Sequence, residues 1–247
     1  MAELSAHEVV RATYDPIHDI GTAIFLSPET GTRSGEWGWA NPFAFYFAGR
    51  GGVLGDVDGT VVAAAFGWFN PDIVGAMYQE GVAVCGAPGA AQRMFEAHAL
   101  WGRDHLRDVP LGRFVELADR LVDGAEGAGL PLFVAWRDQP RVDDEPGRAA
   151  QLFQILREWR GANHLVATTA AGLSPLEAIL TNEGEGQAKF FGWPEPFPDV
   201  SAIKGLHTDA EEMTDRLCAR QFEALLSPGE RAEFAEAVGA AKAAIPS

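Results

Sequence analysis

Seven side chains stand out for the chemistry they could do together. His18 and His164 carry imidazoles, which change protonation near neutral pH and can serve as general bases. Arg50 and Arg160 carry planar guanidiniums that can hold a carboxylate or phosphate through paired hydrogen bonds. Asn163, Tyr46 and Trp68 add an amide, a phenol and an indole, groups that orient a ligand against an apolar wall. Each also has a structural reading. His18 could bond a carbonyl at the core edge, Arg50 could pair with one of the many acids, and Arg160 and His164 could satisfy carbonyls at a helix break.

Other chemistries find no pattern. No Ser-His-Asp or Cys-His arrangement can be recognised, and the glycines around Arg50 (Ala48-Gly49-Arg50-Gly51-Gly52) lack the spacing of a dinucleotide or phosphate loop. His98 and His105 are seven residues apart, two turns along a helix, too far to share an ion without a third element. No metal is expected, and no cofactor can be assigned.

The elements that must position these groups are helices. Around residues 157–180, REWRGANHLVATTAAGLSPLEAIL, the spacing predicts a helix stopped at Gly161 and a second helix capped by Asn163. A tight turn, Ala171-Gly172-Leu173-Ser174, then leads into a third helix started by Ser174, Pro175 and Glu177. Two short helices joined in this way have the form of a helix-turn-helix. Upstream, Val9, Val10, Thr13, Ile17, Ile20 and Ile24 mark a helix over 5–30, kinked at Pro16 just before His18.

Residues 31–42 read as a loop with two tryptophans, and 60–80 as buried helix with an aromatic wall (Phe66, Trp68, Phe69, Met77, Tyr78). Amphipathic helices follow at 87–108 and 110–130, and the Pro-rich stretch after Leu130 reads as a loop or boundary near 137–147. Three prolines and four glycines after Thr181 read as a loop whose aromatics tuck back on the body. A terminal helical hairpin over 208–242 has its second helix capped by Ser227 and Glu230. The expectation is an all-α, multi-helix fold: a ligand-pocket region over 1–140, and a degenerate winged-helix region with C-terminal helices over 141–247, the two able to form one unit.

Composition narrows the function. In 247 residues, 47% are hydrophobic and 22% charged, as in a globular chain with a sizeable core. Lys and Arg number 19 against 35 Asp and Glu, a net charge of −16, which opposes a broad phosphate-contacting surface. Cys85 and Cys218 are too few and too far apart for a disulfide framework. Neither a signal peptide nor a membrane span is expected, which points to the cytoplasm.

The stretches RATYDPIHDI, FYFAGRGGVLG, ILREWRGANHLVATTAAGLSPLEAI and MTDRLCARQFEALLSPGERAEF resemble an actinobacterial helix-turn-helix family related to MarR-type winged-helix regulators. The resemblance implies a recognition helix after the segment at 175–181, a short wing, and dimerising C-terminal helices. At that point this chain departs from the family: between Asn182 and Thr208 it offers a Gly/Pro/aromatic stretch whose only basic groups are Lys189 and Lys204. A recognition helix needs side chains on base edges and basic groups on phosphates. The expectation is therefore a scaffold that has lost DNA binding and holds a small organic ligand, anionic in part, within a homodimer. A ligand-responsive regulator that binds DNA as a dimer is the alternative, and a structural partner in a biosynthetic complex is a third reading.

Overall fold

The computed structural model describes residues 3–245. They form thirteen α-helices with no strand among the described residues. The first six are α1 (Ala6–Leu26), α2 (Pro28–Glu36), α3 (Pro42–Gly51), α4 (Gly59–Phe66), α5 (Pro71–Val82) and α6 (Gly86–His105). Then come α7 (Gly112–Gly124), α8 (Pro131–Arg137), α9 (Glu145–Ala170), α10 (Pro175–Asn182) and α11 (Glu185–Phe190). The last two are α12 (Lys204–Leu225) and α13 (Pro228–Ala243).

Local signals account for most helix starts. Ser5, Ser174 and Ser227 each form a reciprocal capping box with the glutamate three residues on, which satisfies two otherwise unpaired amides. Proline occupies the first turn of α2, α3, α5, α8, α9, α10 and α13, where its missing N–H costs nothing. Gly172, at φ +85°, supplies the left-handed residue that ends the turn between α9 and α10.

The central element is α9, which packs on α6, α12, α7, α1 and α8. Its buried residues run all round the helix and include Leu152, Phe153, Ile155, Leu156 and Trp159. Gly102 lets α6 lie directly on the first turn of α9, because a Cβ there would collide with the Pro146 carbonyl oxygen. One hydrophobic cluster joins residues of α1, α3, α6, α7, α9, α12 and α13. A smaller one, Ile179, Leu180 and Ala188 with Trp68, Phe191 and Trp193, lies under α10 and α11.

Several expectations need correction. α9 runs unbroken through Gly161, so Asn163 is not a cap; its amide donates to the Trp159 carbonyl one turn back at 2.9 Å. The expected loop at 31–42 is helical as far as Glu36, because Ser27 caps α2. The segment PLFVAWR is α8, and its Leu132, Phe133 and Trp136 are buried. Between Asn182 and Thr208 lie the single-turn-scale helix α11 and the first residues of α12. α1 continues through Pro16. The aromatics of the 183–203 stretch do tuck back: Trp193 Nε1 donates to the Trp68 carbonyl at 2.8 Å, and the Asn70 amide to the Phe191 carbonyl at 2.9 Å. The apolar seam of the terminal hairpin, including Phe222, Leu226, Phe234 and Val238, is buried within the chain's own core against α1, α7 and α9. No helix among the described residues is long and apolar enough to cross a membrane.

Candidate functional site

Helices α1, α3, α9, α10 and α12 and the turn at 67–70 enclose a cavity of about 810 Å³, large enough for a drug-sized organic molecule. His18, Tyr46, Arg50, Trp68, Arg160 and His164 all line it, although they come from four separate stretches of the chain. Asn163 does not line it. One side of the wall is aromatic: Phe25, Tyr46, Phe69 and Phe191 pack in sequence, with ring centroids 4.9 Å apart for Phe25–Tyr46 and 4.3 Å for Phe69–Phe191.

Arg50 is already occupied. Its Nε and Nη2 donate to both oxygens of Glu158 at 2.7 and 3.0 Å, and its Nη1 to the Tyr46 hydroxyl at 3.2 Å. The guanidinium carbon lies 4.1 Å from the centre of the Phe66 ring. Both members of the pair are buried. Burial alone would discharge them, but their mutual attraction outweighs it, so the Arg50 pKa is raised and that of Glu158 lowered. The structural reading of Arg50, pairing with an acid, is the one realised.

Two further cations, Arg157 and Arg160, line the cavity from α9. Arg160 lies 3.4 Å over the Tyr14 ring and donates through Nη2 to Glu211 at 2.7 Å, while its Nε is buried without a partner. Arg157, which the sequence reading did not single out, also lines the cavity with a buried, unpartnered Nε. The carboxylate near it, Glu158 at 3.6 Å, is the one already held by Arg50. Gly21 makes room for this side chain, since a Cβ there would meet Arg157 Cδ at 2.5 Å. The Thr22 hydroxyl, also on the lining, is another buried polar group without a partner.

The two histidines differ. His18 sits at the rim, about half exposed, with Nδ1 3.7 Å from Asp19; partial burial and the nearby Arg157 charge lower its pKa. His164 is deeper. Its Nδ1 lies 2.9 Å from Thr214 Oγ1, and its Nε2 3.5 Å from Glu211 Oε1. Its ring is 5.4 Å from Trp68 and 6.1 Å from His207. Burial pushes its pKa down to about 4, against the pull of Glu211, so the ring is neutral at pH 7. His207 and Glu211, both on the lining, are functional candidates that the sequence reading missed. Their signal was the spacing of four residues, which places them on one face of α12 with Thr214 and Cys218.

A family model described as a helix-turn-helix family matches residues 9–198. The chain belongs to that helix-turn-helix family. The match takes in α9, the 171–173 turn and α10, and extends back through α3 and most of α1, which also wall the cavity; α12 lies beyond it. No curated protein and no solved structure matches the chain. In this helix-turn-helix protein, α10 turns Ala178, Ile179 and Leu180 inward and carries no Lys or Arg. Lys189 on α11 is paired with Glu195 at 2.9 Å.

Proposed function

We propose that this helix-turn-helix protein binds a small, partly anionic organic molecule in the cavity between α1, α3, α9 and α12. The observation that carries this reading is a roomy aromatic chamber in which Arg157 and Arg160 each keep a buried Nε without a partner. A buried donor left unpaired is costly, and an acceptor on a guest removes that cost. Tyr46 and Trp68 form aromatic wall, and Arg50, itself fixed by Glu158, holds the Tyr46 hydroxyl in place. His164 and His18 are the proton acceptors within reach of a guest if the molecule is turned over. His164, neutral but weakly basic, suits accepting a proton from a strongly acidic centre.

The test uses an aromatic anion, 8-anilinonaphthalene-1-sulfonate, titrated against the folded protein with tryptophan quenching as readout. Saturable binding near one probe per chain is expected. Arg157→Met should weaken it about tenfold or more, the size of a lost charge-assisted hydrogen bond. Binding that is absent, or indifferent to Arg157→Met and Arg160→Met alike, would remove the cavity from consideration.

Family membership favours a second reading, in which the chain binds DNA; a ligand-responsive regulator of the MarR type would do so as a homodimer. Against it stand the net charge of −16 and the lack of unpaired basic groups on α10 and α11. With the hairpin seam used internally, a dimer would have to form through a different surface. In a gel shift with the DNA flanking its gene at low salt, we expect no retarded band. Tight, salt-sensitive retardation would establish the regulator instead.

A further inference from the structure

We propose that His164, His207 and Glu211 form a binding site for a divalent transition-metal ion in the wall of the cavity. One ligand atom from each residue lies within 4.8 Å of the other two. His164 comes from α9, while His207 and Glu211 stand one turn apart on α12, so the site clamps two helices that already pack together. All three residues line the cavity.

The hydrogen bonds around the cluster orient its lone pairs. The Thr214 hydroxyl donates its one proton to the Ala210 carbonyl at 2.8 Å. At 2.9 Å from His164 Nδ1 it can therefore only accept, which puts the imidazole proton on Nδ1 and leaves Nε2 with a free lone pair. Nε2 is the atom that faces Glu211 Oε1 at 3.5 Å. On the other side of that carboxylate, Oε2 is held by Arg160 at 2.7 Å, leaving Oε1 for an ion. His207 Nδ1 is buried without a hydrogen-bond partner, so the ring has an unused nitrogen. A histidine fixed by a hydrogen bond on its far nitrogen, beside a carboxylate fixed by its second oxygen, is the outer support that metal ligands need.

Donor chemistry sets the class of ion. Two imidazoles and one carboxylate suit zinc, cobalt or ferrous iron rather than magnesium or calcium, which prefer all-oxygen shells. Donors on one such ion sit about 3.3 Å apart, given metal–ligand bonds of about 2.0–2.2 Å. The His164–Glu211 pair is already close to that spacing, and His207 completes the set by a small side-chain rotation. Three protein ligands leave the remaining coordination positions open toward the cavity, where water or an acceptor group of a guest can bind. The alternative is a plain ion pair between α9 and α12 in which His207 has no part.

Cobalt(II) alone serves as the probe. Untagged, chelator-treated full-length protein is titrated with Co²⁺, followed by visible d–d absorption, with Zn²⁺ competition as a check. One equivalent per chain is expected, displaced by Zn²⁺. His207→Ala should abolish the spectrum while leaving the thermal midpoint of the metal-free protein unchanged, because Nδ1 of that ring bonds to nothing. Thr214→Val, which touches no ion, should weaken binding by about 10–100-fold. Absence of saturable Co²⁺ binding, or binding undiminished by both His207→Ala and Glu211→Gln, would overturn the site. The titration contains no organic guest, so its outcome is independent of whether the cavity binds one.

Discussion

Glu158→Ala is expected to cost about 3–5 kcal/mol of stability, the usual penalty for removing one partner from a buried ion pair. Glu158 is 2% exposed and accepts from Arg50 Nε and Nη2 and from Gln154 Nε2. Its removal strands a cation that has no other carboxylate within bonding reach, and also leaves the Gln154 amide unpaired. The reverse change, Arg50→Met, should cost less, because Arg157 Nη1, 3.6 Å from Glu158, can move in as a substitute counter-ion. The double variant Arg50→Met/Glu158→Leu should recover most of the loss, since an apolar pair of similar volume avoids the desolvation of both charges. Urea unfolding of the four proteins, read as a double-mutant cycle, measures this. Equal losses for the two single variants would mean that Arg157 does not exchange roles, and it would then be a poorer candidate for gripping a guest's anionic group.

That exchange depends on a helix register that the sequence obscured. Gly161 resembles a stop signal, but a glycine ends a helix only where the chain gains by turning away. Within α9 the neighbouring Trp159, Asn163 and Ala167 are all buried, and that packing outweighs the roughly 1 kcal/mol that glycine costs inside a helix. Asn163 resembles a cap, yet it satisfies its amide on the Trp159 carbonyl within the helix. Once α9 is continuous, Arg157, Arg160 and His164 fall at i, i+3 and i+7 on one face, and all three line the cavity. Reading a break at Gly161 kept Arg160 and His164 together by proximity but hid Arg157.

The same limitation applies at α12. Its start at Lys204 has no side-chain cap and follows a 3-10 turn over 201–203, so nothing in the local sequence announces it. A helix placed from 208 onward leaves His207 outside it and hides that His207 and Glu211 stand one turn apart on the same face. Where the local signals were strong the structure follows them, as at the boxes of Ser174–Glu177 and Ser227–Glu230 and in the aromatic fold-back of Phe191 and Trp193. What could not be read was which of several acids would claim Arg50: the answer, Glu158, lies 108 positions away on another helix and depends on the packing of the whole core.

Acidification should destabilise the protein through His98, by about 3 kcal/mol between pH 7 and pH 4. His98 is fully buried on α6, its Nδ1 is 2.7 Å from the Met94 carbonyl and its Nε2 is unpartnered. The rings of Phe25 and Trp136 stand edge-on at 5.2 and 5.7 Å. Burial pushes its pKa down to about 4, against the raising influence of the Met94 carbonyl, Glu158 and Gln154, while Arg157 adds to the lowering. The unfolded ring titrates near 6.5, so between these two values the unfolded chain binds the extra proton and the folded chain does not. Stability from this group is therefore complete above about pH 6.5 and is lost as the pH falls toward 4. In His98→Met, which fills a similar apolar niche with a group that does not titrate, that part of the slope should vanish. Carboxylate contributions, including the Arg50–Glu158 pair, are common to both proteins and cancel in the difference. As the pH drops from 7 to 4, the stability difference between the two proteins should shift in favour of His98→Met by about 3 kcal/mol, read from urea midpoints. Parallel curves would mean that the folded interior accepts the proton, and that His98 shares it with Glu158 rather than remaining neutral.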